Sequence, residues 1–138
     1  MTMSGKRKTA AAGLVACAVT GGVLLGAAPA QAASYNGVCG SGYAVVNQKN
    51  IGNLGTVFLT YNASKGMNCV VTVRNSPGSA VRMAAAIARE DDAAWYAIDD
   101  DYYTTYAGPV YRAAAGRCVT WLGGIGTQSS GGVDTNCG

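Results

Sequence analysis

Four cysteines in the last hundred residues constrain this 138-residue chain more than any other feature. They are Cys39, Cys69, Cys118 and Cys137. None of their spacings has the paired C-x₂₋₄-C form that structural zinc prefers, so we expect disulfides rather than a metal site. Four cysteines allow three pairings. Closing the shorter loops loses less chain entropy, which favours Cys39–Cys69 with Cys118–Cys137.

The N-terminus predicts export, which is the setting in which disulfides persist. Its basic residues are Lys6, Arg7 and Lys8. An uncharged stretch follows over 10–30, and Ala30-Gln31-Ala32 ends it with a small-x-small cleavage pattern. We therefore predict a signal peptide over 1–32, cleaved between Ala32 and Ala33, and a single secreted domain over 33–138. Two alternatives stay open: an uncleaved anchor, and a lipoprotein acylated at Cys17.

Charge and composition exclude several function classes. The chain has 10 basic and 7 acidic residues, a net charge of +3, and no histidine. Three of the basic residues belong to the leader, so the exported part is neutral and lacks the basic patch of a nucleic-acid-binding protein. The absence of histidine excludes Ser-His-Asp and Cys-His nucleophiles. We expect no nucleic-acid partner, no cofactor, no metal and, after cleavage, no membrane attachment.

Short apolar segments alternate with polar residues and are separated by turn-forming residues, which predicts an all-β fold. We expect a small antiparallel β-sandwich or barrel stapled by two disulfides. The predicted strands are 43–47, 56–62, 68–74, 102–106, 110–113 and 118–122. The stretch over 81–98 is ambiguous, because its alanines favour a helix whereas the alternation of Val81, Met83, Ala85 and Ile87 favours a β-hairpin. We predict the hairpin, and we expect the glycine-rich residues from 123 onward to pack little.

Six of the seven acidic residues lie between Glu90 and Asp101. Glycosidases use paired carboxylates for catalysis, and clustered carboxylate oxygens can bind calcium. Because aspartates are common in turns for backbone reasons, we interpret Glu90–Asp92 and Asp99–Asp101 as two solvated turns at one end of the hairpin. No catalytic residue is predicted.

Aromatic residues offer the other candidate site. Trp95, Tyr96, Tyr102 and Tyr103 are candidates for ligand binding, because exposed aromatic rings stack on sugars and contact protein partners. Core and cross-strand packing uses the same residue types in any sheet. We favour packing for the series as a whole and place Trp95 in the core.

Three stretches and the C-terminal NCG together resemble the spore-associated protein A family of filamentous actinomycetes. They are YNGVCGSGY (35–43), FLTYNASKGMNCVVTVRN (58–75) and YTTYAGPVYRAAAGRCVTW (103–121). The resemblance includes the positions of the four cysteines and is weakest over 81–101. It implies a small secreted protein of spores or aerial hyphae and assigns no reaction.

These observations predict a non-enzymatic, structural or adhesive protein of the spore or cell surface, with polysaccharide as a candidate partner. A carbohydrate- or peptidoglycan-binding module that uses exposed aromatic residues is one alternative. A secreted protease inhibitor is the other, because it suits the size, the disulfides and the glycine-rich loops.

Overall fold

A computed structural model describes residues 32–138, so the predicted signal peptide lies almost entirely outside the described residues. Eight strands account for most of this part of the chain. They are β1 (Ala44–Ile51), β2 (Gly55–Asn62), β3 (Met67–Arg74), β4 (Val81–Arg89), β5 (Asp92–Tyr103), β6 (Tyr106–Ala113), β7 (Val119–Ile125) and β8 (Gln128–Thr135). None of the described residues forms a helix with the length and apolar character needed to cross a bilayer.

The strands form two four-stranded antiparallel sheets that pack face to face. One sheet has the order β1-β2-β3-β6 and the other has the order β8-β7-β4-β5. The chain crosses between the sheets after β3, returns after β5 and crosses again after β6. This confirms the predicted all-β sandwich. It also confirms the hairpin over 81–98, whose strands pair from Val81 opposite Tyr103 to Ala88 opposite Tyr96.

Strands β2 and β3 are buried on both faces. Their inner side chains, such as Leu59 and Val70, join Ile87 and Trp121 of the opposite sheet in the main core. Their outer side chains, Phe58 and Val71 among them, form a second core beneath the segment that precedes β1. The alternation of two apolar faces explains why these strands read as nearly continuous hydrophobic runs.

Both disulfides have the predicted pairing. Cys39–Cys69 fastens the segment before β1 onto the outer face of the first sheet. Cys118–Cys137 ties the residue before β7 to the tail that follows β8. In the chain-entropy model, closing loops of this size stabilises a domain by about 3 to 4 kcal/mol per bridge.

One strand prediction was wrong, and one strand was not predicted. The predicted strand over 102–106 straddles the turn at Thr104 and Thr105, where the chain leaves β5 and enters β6. The glycine-rich segment forms the end of β7 and all of β8, paired from Gln128 opposite Ile125. Hydrogen bonding along a ladder uses backbone groups, so a segment with few apolar side chains can still complete a sheet.

Candidate functional site

The outward face of strand β5 carries three large exposed side chains. Tyr96, Ile98 and Tyr102 are 56%, 50% and 62% exposed. Alternation along the strand turns Ala97 and Tyr103 the other way, against the main core. Over six residues of strand the two outward tyrosines lie roughly 20 Å apart. The strand therefore presents a row of three exposed apolar side chains, two of which are aromatic rings.

Small residues surround this row. Strand β4 places Ala88, Ala86 and Ala84 opposite Tyr96, Ile98 and Asp100. Beyond them, β7 places Leu122, which is 42% exposed, opposite Ala86. The alanines form a low floor beside which the larger side chains stand out. We call this surface the aromatic face, defined by Tyr96, Ile98, Tyr102, Ala84, Ala86, Ala88 and Leu122.

Trp95 is exposed and not in the core, so our prediction for it was wrong. Its side chain is 54% exposed. The register of β4 and β5 shifts after Ala88 opposite Tyr96, and the next pair is Arg89 opposite Asp92. Residues 93–95 therefore form a bulge, which removes Trp95 from regular alternation with the core positions.

Arg112 of β6 holds the Trp95 side chain in place. The guanidinium carbon lies 4.1 Å from the ring centroid, and Nη1 donates a hydrogen bond of 3.3 Å to the Trp95 carbonyl. Nη2 donates to the carboxylate of Asp92 at 2.9 Å. The arginine side chain is itself 8% exposed. A buried, paired cation thus supports one side of an indole that is otherwise open to solvent.

Tyr103 faces the opposite way from Tyr96 and Tyr102. Its hydroxyl donates a 2.5 Å hydrogen bond to Oδ1 of Asp99, whose Oδ2 accepts a bond from the Gly108 amide. The bond to this carboxylate, reinforced by desolvation and nearby negative charge, stabilises the phenol proton and raises the pKa of Tyr103 to about 12. Of the four aromatic candidates, Tyr96 and Tyr102 share the aromatic face, Trp95 packs on Arg112 of the other sheet, and Tyr103 faces the core.

The aspartates of this strand and of the turn before it are engaged in ion pairs and hydrogen bonds. Asp99–Asp101 lie within β5 and not in a turn, because the strand continues to Tyr103, so that prediction was wrong. Asp91 pairs with Arg89 at 2.8 Å and Asp100 pairs with Arg82 at 2.6 Å. Hydrogen bonds from these guanidinium groups lower the pKa of both carboxyls. Across residues 32–138, no three His, Cys, Asp or Glu side chains are arranged to hold a metal ion.

Sequence reasoning missed two features of this surface. One is the support that Arg112 gives to Trp95, which depends on a contact between the two sheets. The other is the alanine floor. The sequence did contain a signal for this floor, because Ala84, Ala86 and Ala88 alternate with residues that include the buried Met83 and Ile87.

Comparison with known proteins places the chain in a family. No family model matches it, and no solved structure matches it. Spore-associated protein A of Streptomyces coelicolor is 52% identical over 115 residues, which cover 82% of this chain and 73% of that protein. Identity at this level over most of both chains means that the chain belongs to the spore-associated protein A family.

Proposed function

We propose that this protein is exported and serves as a non-enzymatic, adhesive component of the spore or hyphal surface. The name of its relative associates that protein with spores. Two disulfides suit a protein that works outside the cell. The carboxylates engaged by arginines or by backbone and hydroxyl donors give no support to paired acid–base catalysis.

The observation that carries the proposal is the aromatic face. A surface where Tyr96, Ile98 and Tyr102 are each at least half exposed leaves apolar area in water that a partner would cover. Burial of such area contributes about 25 cal/mol per Å² before the losses of association are subtracted. Adhesion by this route is non-covalent and reversible.

A neutral surface polysaccharide is the partner that this face suits best. The residues of the face carry no charge, and the adjacent ion pair of Arg82 with Asp100 is internally compensated, so this surface offers no net charge to an anionic polymer or lipid. Tyrosine rings combine an apolar body with a hydroxyl, which matches the apolar ring faces and hydroxyl rims of sugars. Trp95, which packs on Arg112 of the other sheet, is a further exposed ring of the same strand.

Washed spores provide the test. The domain over 33–138, carrying a fluorescent label, should bind them, and a mild detergent or salt wash should release it as a monomer. The double variant Tyr96→Ser/Tyr102→Ser should lose most of this binding while keeping its fold. Leu54→Ser is the matched control, because Leu54 is an exposed apolar residue, 37% accessible, in the turn between β1 and β2. Release only by wall-digesting enzymes or boiling denaturant would contradict the proposal.

We also propose cleavage between Ala32 and Ala33. The amide nitrogen of Ala33 donates a 2.8 Å hydrogen bond to Oδ1 of Asn75, and Ala33 packs against the second core. Cleavage would turn this donor into an α-ammonium group, and charge-assisted hydrogen bonds are stronger than neutral ones. Mass analysis of the exported protein should find Ala33 at its N-terminus; an acylated Cys17 there would contradict this and place the protein on the membrane.

A further inference from the structure

A groove of about 450 Å³ opens at one end of the sandwich, on the side away from the turn between β1 and β2. The ends of the first sheet, the loop after β6 and the tail after β8 all contribute to it. Its lining residues include Val46, Tyr61, Asn68, Ala114, Asn136 and Cys137. The Cys118–Cys137 bridge fixes the tail that forms one wall. Side chains from three separate parts of the chain therefore converge on one concave surface.

The tail wall is fastened by a second set of contacts. Asn136 donates from Nδ2 to the Val46 carbonyl at 3.3 Å, and its Oδ1 accepts a 3.0 Å bond from Asn47. Both ends of this amide are thereby engaged. Asn136 therefore serves as a fixed wall of the groove, and further polar groups that a ligand could use lie on the floor.

Asn68 and Tyr61 supply those groups. They are cross-strand partners on β3 and β2, so their side chains lie on the same face of the sheet. Asn68 is 3% exposed, and its Nδ2 donates to the Thr60 carbonyl at 2.9 Å. No hydrogen bond within the described part of the chain engages Oδ1 of Asn68 or the Tyr61 hydroxyl, and neither atom is a buried atom without a partner, a condition that only the Tyr35 hydroxyl meets there. Both residues line the groove, where an amide acceptor is suited to a hydrogen-bond donor from a ligand.

We infer that this groove binds a single acetamido sugar unit. None of its lining side chains is charged, so hydrogen bonds and apolar contacts from these side chains would recognise the ligand. Oδ1 of Asn68 would accept the N–H of the acetamido group, and Val46 and Ala114 would contact its methyl group. The Tyr61 hydroxyl would bond a ring hydroxyl. The inference deepens the proposed function, on which it rests for the source of the sugar, a polymer of the spore or cell surface.

Amide chemical shifts during a titration with soluble N-acetylglucosamine test the inference without spores. We expect saturable, millimolar binding, with shifts confined to the amides of the groove, and binding of glucose at least fivefold weaker. Tyr61→Phe should weaken affinity by about 2- to 10-fold, the value of one hydrogen bond. Val46→Trp should fill the groove and reduce affinity more than 10-fold. Val46 is 44% exposed, so its enlargement leaves the core intact.

Leu54→Trp is the matched control, because it adds the same ring at the opposite end of the β1–β2 hairpin and should leave affinity unchanged. An absence of shifts, equal binding of glucose, or undiminished binding by a folded Val46→Trp variant would overturn the inference. Shifts that map to the aromatic face would also overturn it. Loss of spore adhesion is a separate result, since the Tyr96→Ser/Tyr102→Ser variant should bind the free sugar normally.

Discussion

Replacing each of the two tryptophans by alanine should have very different effects on stability. Trp121 is 1% exposed, and its Nε1 donates a 2.8 Å hydrogen bond to Thr135. Truncating a fully buried aromatic side chain costs about 3 to 5 kcal/mol. Trp95 is 54% exposed, so less than half of that burial is lost, together with a cation–π contact worth about 0.5 to 1 kcal/mol. We therefore expect Trp95→Ala to cost about 1 to 2 kcal/mol.

Urea unfolding followed by circular dichroism measures both changes, with the free energy of unfolding extrapolated to water. A domain of this size loses about 4 to 8 °C in Tm per kcal/mol, so the two variants are easily separated. Fluorescence gives an independent check. In Trp95→Phe the remaining emission comes from the buried Trp121, and acrylamide should hardly quench it. A loss of 3 kcal/mol or more for Trp95→Ala, or equal losses at both positions, would refute the assignment of Trp95 to the surface.

Three further predictions concern stability. The pKa of Tyr103 is raised to about 12, so the stabilisation from its bond to Asp99 is complete below pH 10 and is lost between pH 10 and 12. The Tm should therefore fall more steeply with pH over that range for the wild type than for Tyr103→Phe. Parallel curves of Tm against pH would contradict this. Gly123→Ala should lower the free energy of unfolding, measured with urea, by about 1 to 3 kcal/mol, because a Cβ there would overlap Thr72 and Val57 of the opposite sheet. Gly124→Ala is the control: its Cβ would make ordinary contacts, so it should cost less than about 1 kcal/mol. Removing the second disulfide with Cys118→Ala/Cys137→Ala should lower the free energy of unfolding by about 3 kcal/mol and release the tail. A wild-type Tm that is the same in reducing and oxidising buffer would count against this prediction.

Features set by local alternation were predictable from the sequence. Val57 and Leu59 point to one core and Phe58 to the other, as their alternation requires. The turn after Asn62 follows from its side chain, whose Oδ1 accepts bonds from Ser64 and Lys65. The cysteine pairing agreed with the simple expectation that short loops close most easily.

Features that depend on contacts between distant residues were not predictable. Trp95 is exposed because a bulge displaces it and Arg112, from the other sheet, supports it. Strand β8 has almost no apolar side chains, so its pairing with β7 leaves no hydrophobic pattern to recognise. The groove with Asn68 at its floor is assembled from three separated segments of the chain. In each case the deciding interaction joins residues far apart in sequence.

Hydroxyl-radical footprinting of the spore-bound protein tests the central claim most directly, because it reports which aromatic rings a partner covers. We predict that oxidation of Tyr96 and Tyr102 slows strongly on binding. Oxidation of Tyr111, which is 38% exposed on the other sheet, should stay unchanged and serves as the internal reference. Protection of Tyr111 with Tyr96 and Tyr102 still reactive would contradict the claim that the aromatic face makes the contact.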